Sequence, residues 1–222
     1  DYQNFYLFLA DGGSKDKTIE IIKSYNFNLI IVSTKDTSAE EGINNCLKLI
    51  KTKYFCILNS DDILGQKNYL SSLLNALKTK KIDVVFPNFG SIVDDKKKIL
   101  EQDGDFTKIL TQNISPDIGW MANSKVLIEG HFSTYYKVAT AYHFLLRIYK
   151  KKYVFFREKS VYFFFRMGGH SYKNGALGYI EGKNIALSFG SNKIKVYKEF
   201  LEKYTKFVIK YKILKFFFEV RR

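Results

Sequence analysis

The run Tyr54-Phe55-Cys56-Ile57-Leu58-Asn59-Ser60-Asp61-Asp62 passes from five uncharged residues straight into a polar turn with two adjacent carboxylates. A short apolar run that ends in turn residues predicts a buried strand, Tyr54 to Leu58. On its amino side, Glu40 to Ile50 places Ile43, Leu47 and Ile50 on one helical face, and before it Leu29 to Val32 predicts another strand. The chain opens on the same pattern. Phe5 to Ala10 is an apolar run, Asp11-Gly12-Gly13-Ser14 a turn, and Thr18 to Tyr25 has helical spacing. On the carboxyl side, Tyr69 to Lys78 predicts a helix and Asp83 to Pro87 a strand. Strands that alternate with helices in this way imply an α/β sheet with parallel strands.

Further along, Phe89 to Ser115 is poorly patterned and predicts irregular strands and a loop. Ala141 to Lys150 reads as helix, Tyr153 to Phe156 and Val161 to Phe165 as strands, and Gly168-Gly169-His170-Ser171 as a turn. Helical pattern returns from Tyr179 to Phe189 and from Lys193 to the end.

With 222 residues, 46% of them hydrophobic, the chain can bury a real core. Two prolines and no low-complexity tract exclude a disordered linker, and no repeat at solenoid period is present. The organisation predicted is one domain over 1–192 and a basic helical tail over 193–222. Cys46 and Cys56 are too few for a disulfide framework and fit neither a redox nor a zinc motif, so they read as buried thiols. No stretch approaches the roughly 18 apolar residues of a membrane span, and nothing at the start reads as a signal peptide. A cytoplasmic location is the resulting expectation. The net charge of +14 favours an anionic partner without choosing among nucleic acid, phospholipid and phosphorylated substrate. Between Lys193 and Arg222, ten Lys and Arg against three Glu leave +7, half of the total.

Ligands of open α/β sheets bind beyond the carboxyl ends of the strands, where Asp11 and the Asp61-Asp62 pair are predicted to lie. Neighbouring carboxylates repel and are costly to desolvate unless a cation or hydrogen-bond donors offset them. Mg²⁺ or Mn²⁺, held by one or two carboxylates and completed by substrate phosphates, is the usual solution. The simpler reading is that Asp-Asp starts the next helix, where carboxylates interact well with the helix dipole. A second acidic strand end at Asp11 argues against that reading.

Asp11-Gly12-Gly13-Ser14-Lys15-Asp16-Lys17-Thr18 resembles the DGGSTDGT segment of family-2 glycosyltransferases, and Leu58-Asn59-Ser60-Asp61-Asp62 resembles their LNSDD form of the DXD motif. Gly42-Ile43-Asn44 is similar to the stretch in which an Asn precedes the metal-motif strand. Lys137-Val138-Ala139 through Phe144-Leu145-Leu146-Arg147 resembles the acceptor-side helix, and Phe165-Arg166-Met167-Gly168-Gly169-His170-Ser171 the closing turn. The likeness runs from Tyr2 to about Ser171. It implies a GT-A fold, a Rossmann-like mixed sheet flanked by helices, and an inverting, metal-dependent transfer from a nucleotide-diphosphate sugar to an acceptor hydroxyl. It further implies Asp62 as metal ligand, Asp61 as the ribose-binding carboxylate, Asp11 near the nucleobase, and Asn59 as an uncharged hydrogen-bonding member of the motif. The loop within Phe89 to Trp120 would face the acceptor.

Three departures from the family pattern bear on activity. Relatives begin with a central strand and a PxYN-type loop, whereas this chain begins at Asp1-Tyr2-Gln3-Asn4, so a fragment that folds poorly on its own is expected. Gly12 stands where many relatives carry a second Asp. Ala141 stands where relatives carry the Asp that deprotonates the acceptor, and an alanine methyl takes no proton. His143 and Asp117 are the other candidates for a base. The rival readings are a catalytically impaired glycosyltransferase-like protein and a basic nucleic-acid-binding module. Against the latter, Phe163-Phe164-Phe165 reads as core and no nucleic-acid motif is present. In the tail, Val196, Phe200, Tyr204, Phe207, Tyr211, Leu214 and Phe218 form one helical stripe. Two uses of the stripe are open. It docks the tail on an anionic membrane surface, peripheral at the inner face and suited to a cell-surface or lipid-linked glycan acceptor, or it packs on its own domain.

Overall fold

The computed structural model describes residues 2–33, 37–93, 95–100, 102, 104–115 and 119–219. Two separate sheets form. In the first, β1 (Tyr6–Asp11) and β2 (Asn28–Ser33) pair in parallel, joined by helix α1 (Thr18–Lys23). The chain then passes through α2 (Ala39–Leu47), where the Ser38 hydroxyl caps the first turn by accepting from the Glu41 amide. The second sheet has six strands in the order β3-β7-β5-β8-β4, with β6 paired to β5. Its members are β3 (Tyr54–Cys56), β4 (Ile63–Leu64), β5 (Val84–Val93), β6 (Lys96–Leu100), β7 (Met121–Asn123) and β8 (Phe155–Arg166). Helix α3 (Tyr69–Thr79) precedes β5, and α4 (Thr140–Lys150) precedes β8. The short α5 (His170–Lys173), α6 (Gly175–Ser188) and α7 (Lys193–Glu219) follow.

The sheet is mixed, as the family resemblance implies: the parallel pairing that strand–helix alternation implies is joined by antiparallel pairs, because several strands follow one another without a crossover helix. Among the described residues, β1 with β2 and β5 with β8 pair in parallel. Antiparallel pairing joins β3 to β7, β7 to β5, β6 to β5 and β4 to β8. The weakly patterned segment after Phe89 contains the end of β5, a turn through Asp95 at φ 59°, and β6. Three consecutive lysines, Lys96 to Lys98, hid β6 from an apolar search, and charge of that kind is typical of an outer strand. The two strands expected between Tyr153 and Phe165 are one. Its register against β5 jumps between Pro87, opposite Glu158, and Asn88, opposite Tyr162. Proline has no N–H to give to the ladder, and Lys159, Ser160 and Val161 bulge out of the pairing at that point.

Alternation along β5 divides the core. Val84 and Phe86 face one cluster, in which Trp120 stacks on Phe144 at 6.0 Å between ring centroids and Phe144 on Phe132 at 4.8 Å. Val85 faces the other cluster, with Tyr69, Leu73 and Leu77 of α3 and with Val161 and Phe163 of β8. The Tyr69 hydroxyl donates to the Gly119 carbonyl within this second cluster.

Two polar ties place the elements near the strand ends. The Asn44 side chain both donates to the Phe132 carbonyl, at 2.8 Å, and accepts from the Phe132 amide, at 2.9 Å, and so pins α2 to the segment before α4. Ala139 precedes α4 without any capping oxygen of its own. The Glu181 carboxylate of α6 substitutes, accepting from the amides of Lys137, Val138 and Ala139 at 2.9, 2.9 and 3.0 Å.

The tail helix α7 turns the first part of its apolar stripe onto α6. Val196 is fully buried, Phe200, Tyr204 and Phe207 are half-buried, and the Phe207 ring lies 5.6 Å from that of Tyr179. The side chains of Tyr211, Leu214 and Phe218 lie outside the described residues. No helix among the described residues is long and apolar enough to cross a membrane.

The amino-terminal sheet is thinly covered. No residue of α1 is buried, and Tyr6 and Ile21 are each 56% exposed. Among the described residues β1 pairs only with β2, and β3 only with β7.

The triple acceptor at Glu181 gives a direct test of this packing. Hydrogen bonds to a charged group each contribute more than neutral ones, so Glu181→Ala is expected to cost about 2–3 kcal/mol in urea unfolding, and Glu181→Gln about half of that. Equal stability of all three proteins would show that the carboxylate does not hold the start of α4.

Candidate active site

A cavity of about 2800 Å³ runs between the two sheets, several times the 300–1,000 Å³ typical of a small-ligand pocket. Its walls include the edges of β1 and β3, the face of α2 that carries Gly42, Ile43 and Cys46, and Val138, Ala139 and Tyr142 around the start of α4. Asn59, Ser60, Asp61 and Asp62 stand on its rim, as do Arg166, Met167, Gly169 and Ser171. Beyond β3 the backbone closes a turn in which the Asp62 amide donates to the Asn59 carbonyl at 3.3 Å. This turn presents two successive carboxylates to the opening.

The two carboxylates differ in environment. Asp61 is exposed, and Asp62 is half-buried, with Oδ1 accepting from the Arg166 amide at 3.3 Å. Burial, and after it the charge of Asp61, pushes the Asp62 carboxyl up from 3.8 to about 6; the Arg166 amide and the Asn59 side chain pull the other way without restoring it. Asp62 therefore carries a charge that its own surroundings do not offset. A divalent cation would supply that offset. Among the described residues no three His, Cys, Asp or Glu side chains converge on one point, so a cation here would take its remaining ligands from substrate oxygens and water.

The closing turn lies against the same acids. Gly168 holds φ +100°, a conformation that favours glycine, and a Cβ on Gly169 would sit 3.7 Å from the Asp61 Oδ2. Arg166 ends β8 and extends its guanidinium to the exposed Asp95 at 3.1 Å.

Asp11 occupies the end of β1 as expected, but its carboxylate serves its own turn. It accepts from the Gly13 amide at 3.1 Å and the Ser14 amide at 3.2 Å. The Ser14 hydroxyl, the same amides and their local geometry hold its carboxyl below the usual range. Its neighbours Ala10 and Gly12, not Asp11 itself, line the cavity.

The candidate bases are scattered. Ala141 is buried in the core, 1% exposed, beside cavity-lining Tyr142. Next to it, the Thr140 hydroxyl donates to Oε1 of Glu40 at 3.5 Å. His143 lies between the rings of Tyr136 and Phe189, at 5.2 and 5.5 Å, and is not among the residues that line the cavity. Burial, then the charge of Arg147, lowers its pKa. Asp117 lies outside the described residues. Sequence reading missed the pairing of Arg166 with Asp95, which no spacing in the closing motif encodes, and the cavity-lining lysines Lys183 of α6 and Lys203 of α7, which belong to no motif.

The model of glycosyl transferase family 2 matches residues 1–158. No match emerges among curated protein sequences. Among solved structures the chain is similar to S. aureus TarS 1-349 in complex with UDP-GlcNAc, at 15% identity and a TM-score of 0.65 over 92% of this chain and 65% of that one. It is also similar to the mannosyltransferase PcManGT from Pyrobaculum calidifontis in complex with GDP-Man and Mn²⁺, at 14% identity and a TM-score of 0.60 over 90% and 59% of the two chains. The chain thus spans less than two thirds of the length of either. The fold is the GT-A fold, a mixed sheet with flanking helices. On the match of its first 158 residues and the acidic turn that closes β3, the chain belongs to glycosyl transferase family 2.

Proposed function

We propose that the chain transfers a sugar from a nucleotide-diphosphate donor to an acceptor hydroxyl, in a single in-line displacement that inverts the anomeric carbon. The observation that carries this reading is the pair Asp61 and Asp62 on the cavity rim, one of them with its charge uncompensated. The donors named for the structural relatives, UDP-GlcNAc and GDP-Man, support it.

In this reading Asp62 holds Mn²⁺ or Mg²⁺, whose charge, when bound, offsets the negative charge that grows on the departing diphosphate. Asp61 accepts from the ribose hydroxyls, and Asn59 hydrogen-bonds beside them. Asp11 orders the turn that brings the Gly12 backbone to the nucleobase side of the cavity. The transferase domain is assigned to 1–192. The basic helix from Lys193 is assigned to an anionic surface at the inner face of the membrane, through the lysines that its stripe leaves outward. An acceptor in cell-surface or lipid-linked glycan synthesis suits that placement. A second reading, a transferase that binds donor but transfers slowly, is favoured by the alanine at position 141.

Calorimetric titration tests the donor side. UDP or GDP is expected to bind only with Mn²⁺ or Mg²⁺ present, and Asp62→Ala to abolish that binding; equal affinity without metal would overturn the assignment. Protons compete with the ion for Asp62, so affinity is expected to fall as pH drops through about 6. Without metal the sign for stability is opposite. The folded chain keeps this proton up to about 6 while the unfolded chain loses it near 3.8, so the contribution of Asp62 to stability is lost as pH rises through that window. Asp62→Asn is expected to remove that slope from thermal unfolding measured across the same range.

The base is tested at Ala141. General-base assistance is worth roughly 10²- to 10⁴-fold, so Ala141→Asp is expected to speed transfer at least about tenfold, with donor affinity little changed. The site is buried, so some stability is lost as well. Ala141→Asn is the control for shape; if it speeds transfer as much as Asp does, position 141 supplies no base.

A further inference from the structure

We propose that Lys183 and Lys203 hold a phosphate group of the acceptor, so that the hydroxyl receiving the sugar belongs to a phosphate monoester. This rests on the transferase reading above and deepens it on the acceptor side, where that reading places no binding group.

The cavity carries opposite charge on two of its walls. Asp61 and Asp62 stand on the rim beyond β3, and the donor reading fills that end with a diphosphate and its metal. From α6 and α7 come Lys183, Glu199, Lys203 and Lys206, three ammonium groups against one carboxylate. Lys206 is already paired, with Glu202 at 2.7 Å. Among the described residues, the Lys183 and Lys203 ammonium groups form no ion pair and donate no hydrogen bond, although both side chains are half-buried. The Lys183 Nζ lies 4.9 Å from the centroid of the Phe200 ring and 5.6 Å from that of Tyr197, contacts that satisfy a cation only in part. Lys203 follows Phe200 by three residues, which makes them neighbours on one helix face. Phe200 is thus shared by both lysines.

Burial lowers the pKa of the Lys203 ammonium; Glu199 and Glu202 act against this, and Lys108 and Lys206 add to it. Lys108 belongs to the short helical turn Phe106–Leu110, so a third element brings positive charge to this wall. The acids of the rim are not among the charges acting most strongly on Lys203. The lysines therefore do not serve to offset Asp61 and Asp62. A half-buried cation without a partner is costly, and an anion on the substrate would remove that cost.

Charge selects the ligand. A phosphate monoester carries about two negative charges at neutral pH and three acceptor oxygens, which suits two ammonium groups, whereas one carboxylate brings half of that charge. Thr111, Gln112 and Asn113, just after the turn that carries Lys108, line the same cavity and offer neutral hydrogen-bonding groups for the rest of a hydroxylated substrate. The donor's own diphosphate is a poor occupant, because its metal at Asp62 commits it to the other wall.

Calorimetry of the full chain with glycerol phosphate is the test, with and without saturating UDP or GDP and Mn²⁺, and with glycerol as the phosphate-free control. Glycerol phosphate is expected to bind in both conditions, and glycerol in neither. Lys183→Gln/Lys203→Gln is expected to weaken the phosphate at least about tenfold. Lys195→Gln/Lys198→Gln removes the same charge from exposed positions of α7 that do not line the cavity, and is expected to stay within about twofold of wild type. Unchanged nucleotide affinity in both double variants shows that they are folded. A parallel titration with dihexanoyl phosphatidic acid separates the sources, since the tighter of the two probes tells a lipid-linked phosphate from a soluble one. No phosphate binding to wild type, equal loss in both double variants, or displacement of the phosphate by UDP or GDP with Mn²⁺ each overturns the inference while the donor reading stands. Absence of metal-dependent nucleotide binding in the wild type overturns the donor reading, and lysine-dependent phosphate binding that persists there overturns the acceptor role.

Discussion

The second sheet hangs on one ten-residue strand. β5 must find partners for both of its edges and cover for both of its faces, and β7, β6 and β8 meet the first need while the two core clusters meet the second. Pro87 breaks the demand in the middle, since it brings no N–H, and the ladder yields there with a bulge in β8. The buried Arg157 stabilises the break. It donates to the Pro87 carbonyl at 2.7 Å and lies over the rings of Phe86, Phe89 and Phe106. Everything that places Asp62 follows from this arrangement, because the amide that reaches its carboxylate belongs to the last residue of β8.

Much of this was legible in residue pattern, and the failures have local causes. Uninterrupted apolar runs marked β1, β3 and the first half of β5, and in β5 the run reflects cover on both faces. β6 escaped because its lysines answer the exposure of an outer strand, not the burial of a core. β8 was split in two because its bulge is polar. Pairing direction was legible where a helix joins two strands, as in β1 and β2, and not where the antiparallel strands meet, since short strands such as Ile63–Leu64 leave no signature of their own.

For the site, two adjacent carboxylates after a strand were enough to find the rim. The orientation of Asp11 was not, because an aspartate before Gly-Gly-Ser can face a ligand or fold back on the following amides, and only geometry decides. His143 was named for its titration range alone, and on α4 its ring lies between those of Tyr136 and Phe189, away from the cavity lining. Arg166 was visible only as part of a glycine-rich closing motif, and its relation to Asp62 runs through a main-chain amide that no side-chain pattern encodes.

The family match ends at residue 158, a third of the way along β8 and just before its bulge. Modular boundaries drawn from sequence families are commonly treated as cutting points, and this one would sever a strand. Among the described residues β4 would lose its one paired neighbour, Asp62 its amide, and α4 the carboxylate of Glu181. The mechanical unit of this protein therefore reaches past the stretch that the family model matches: residues beyond 158 brace the ones before it.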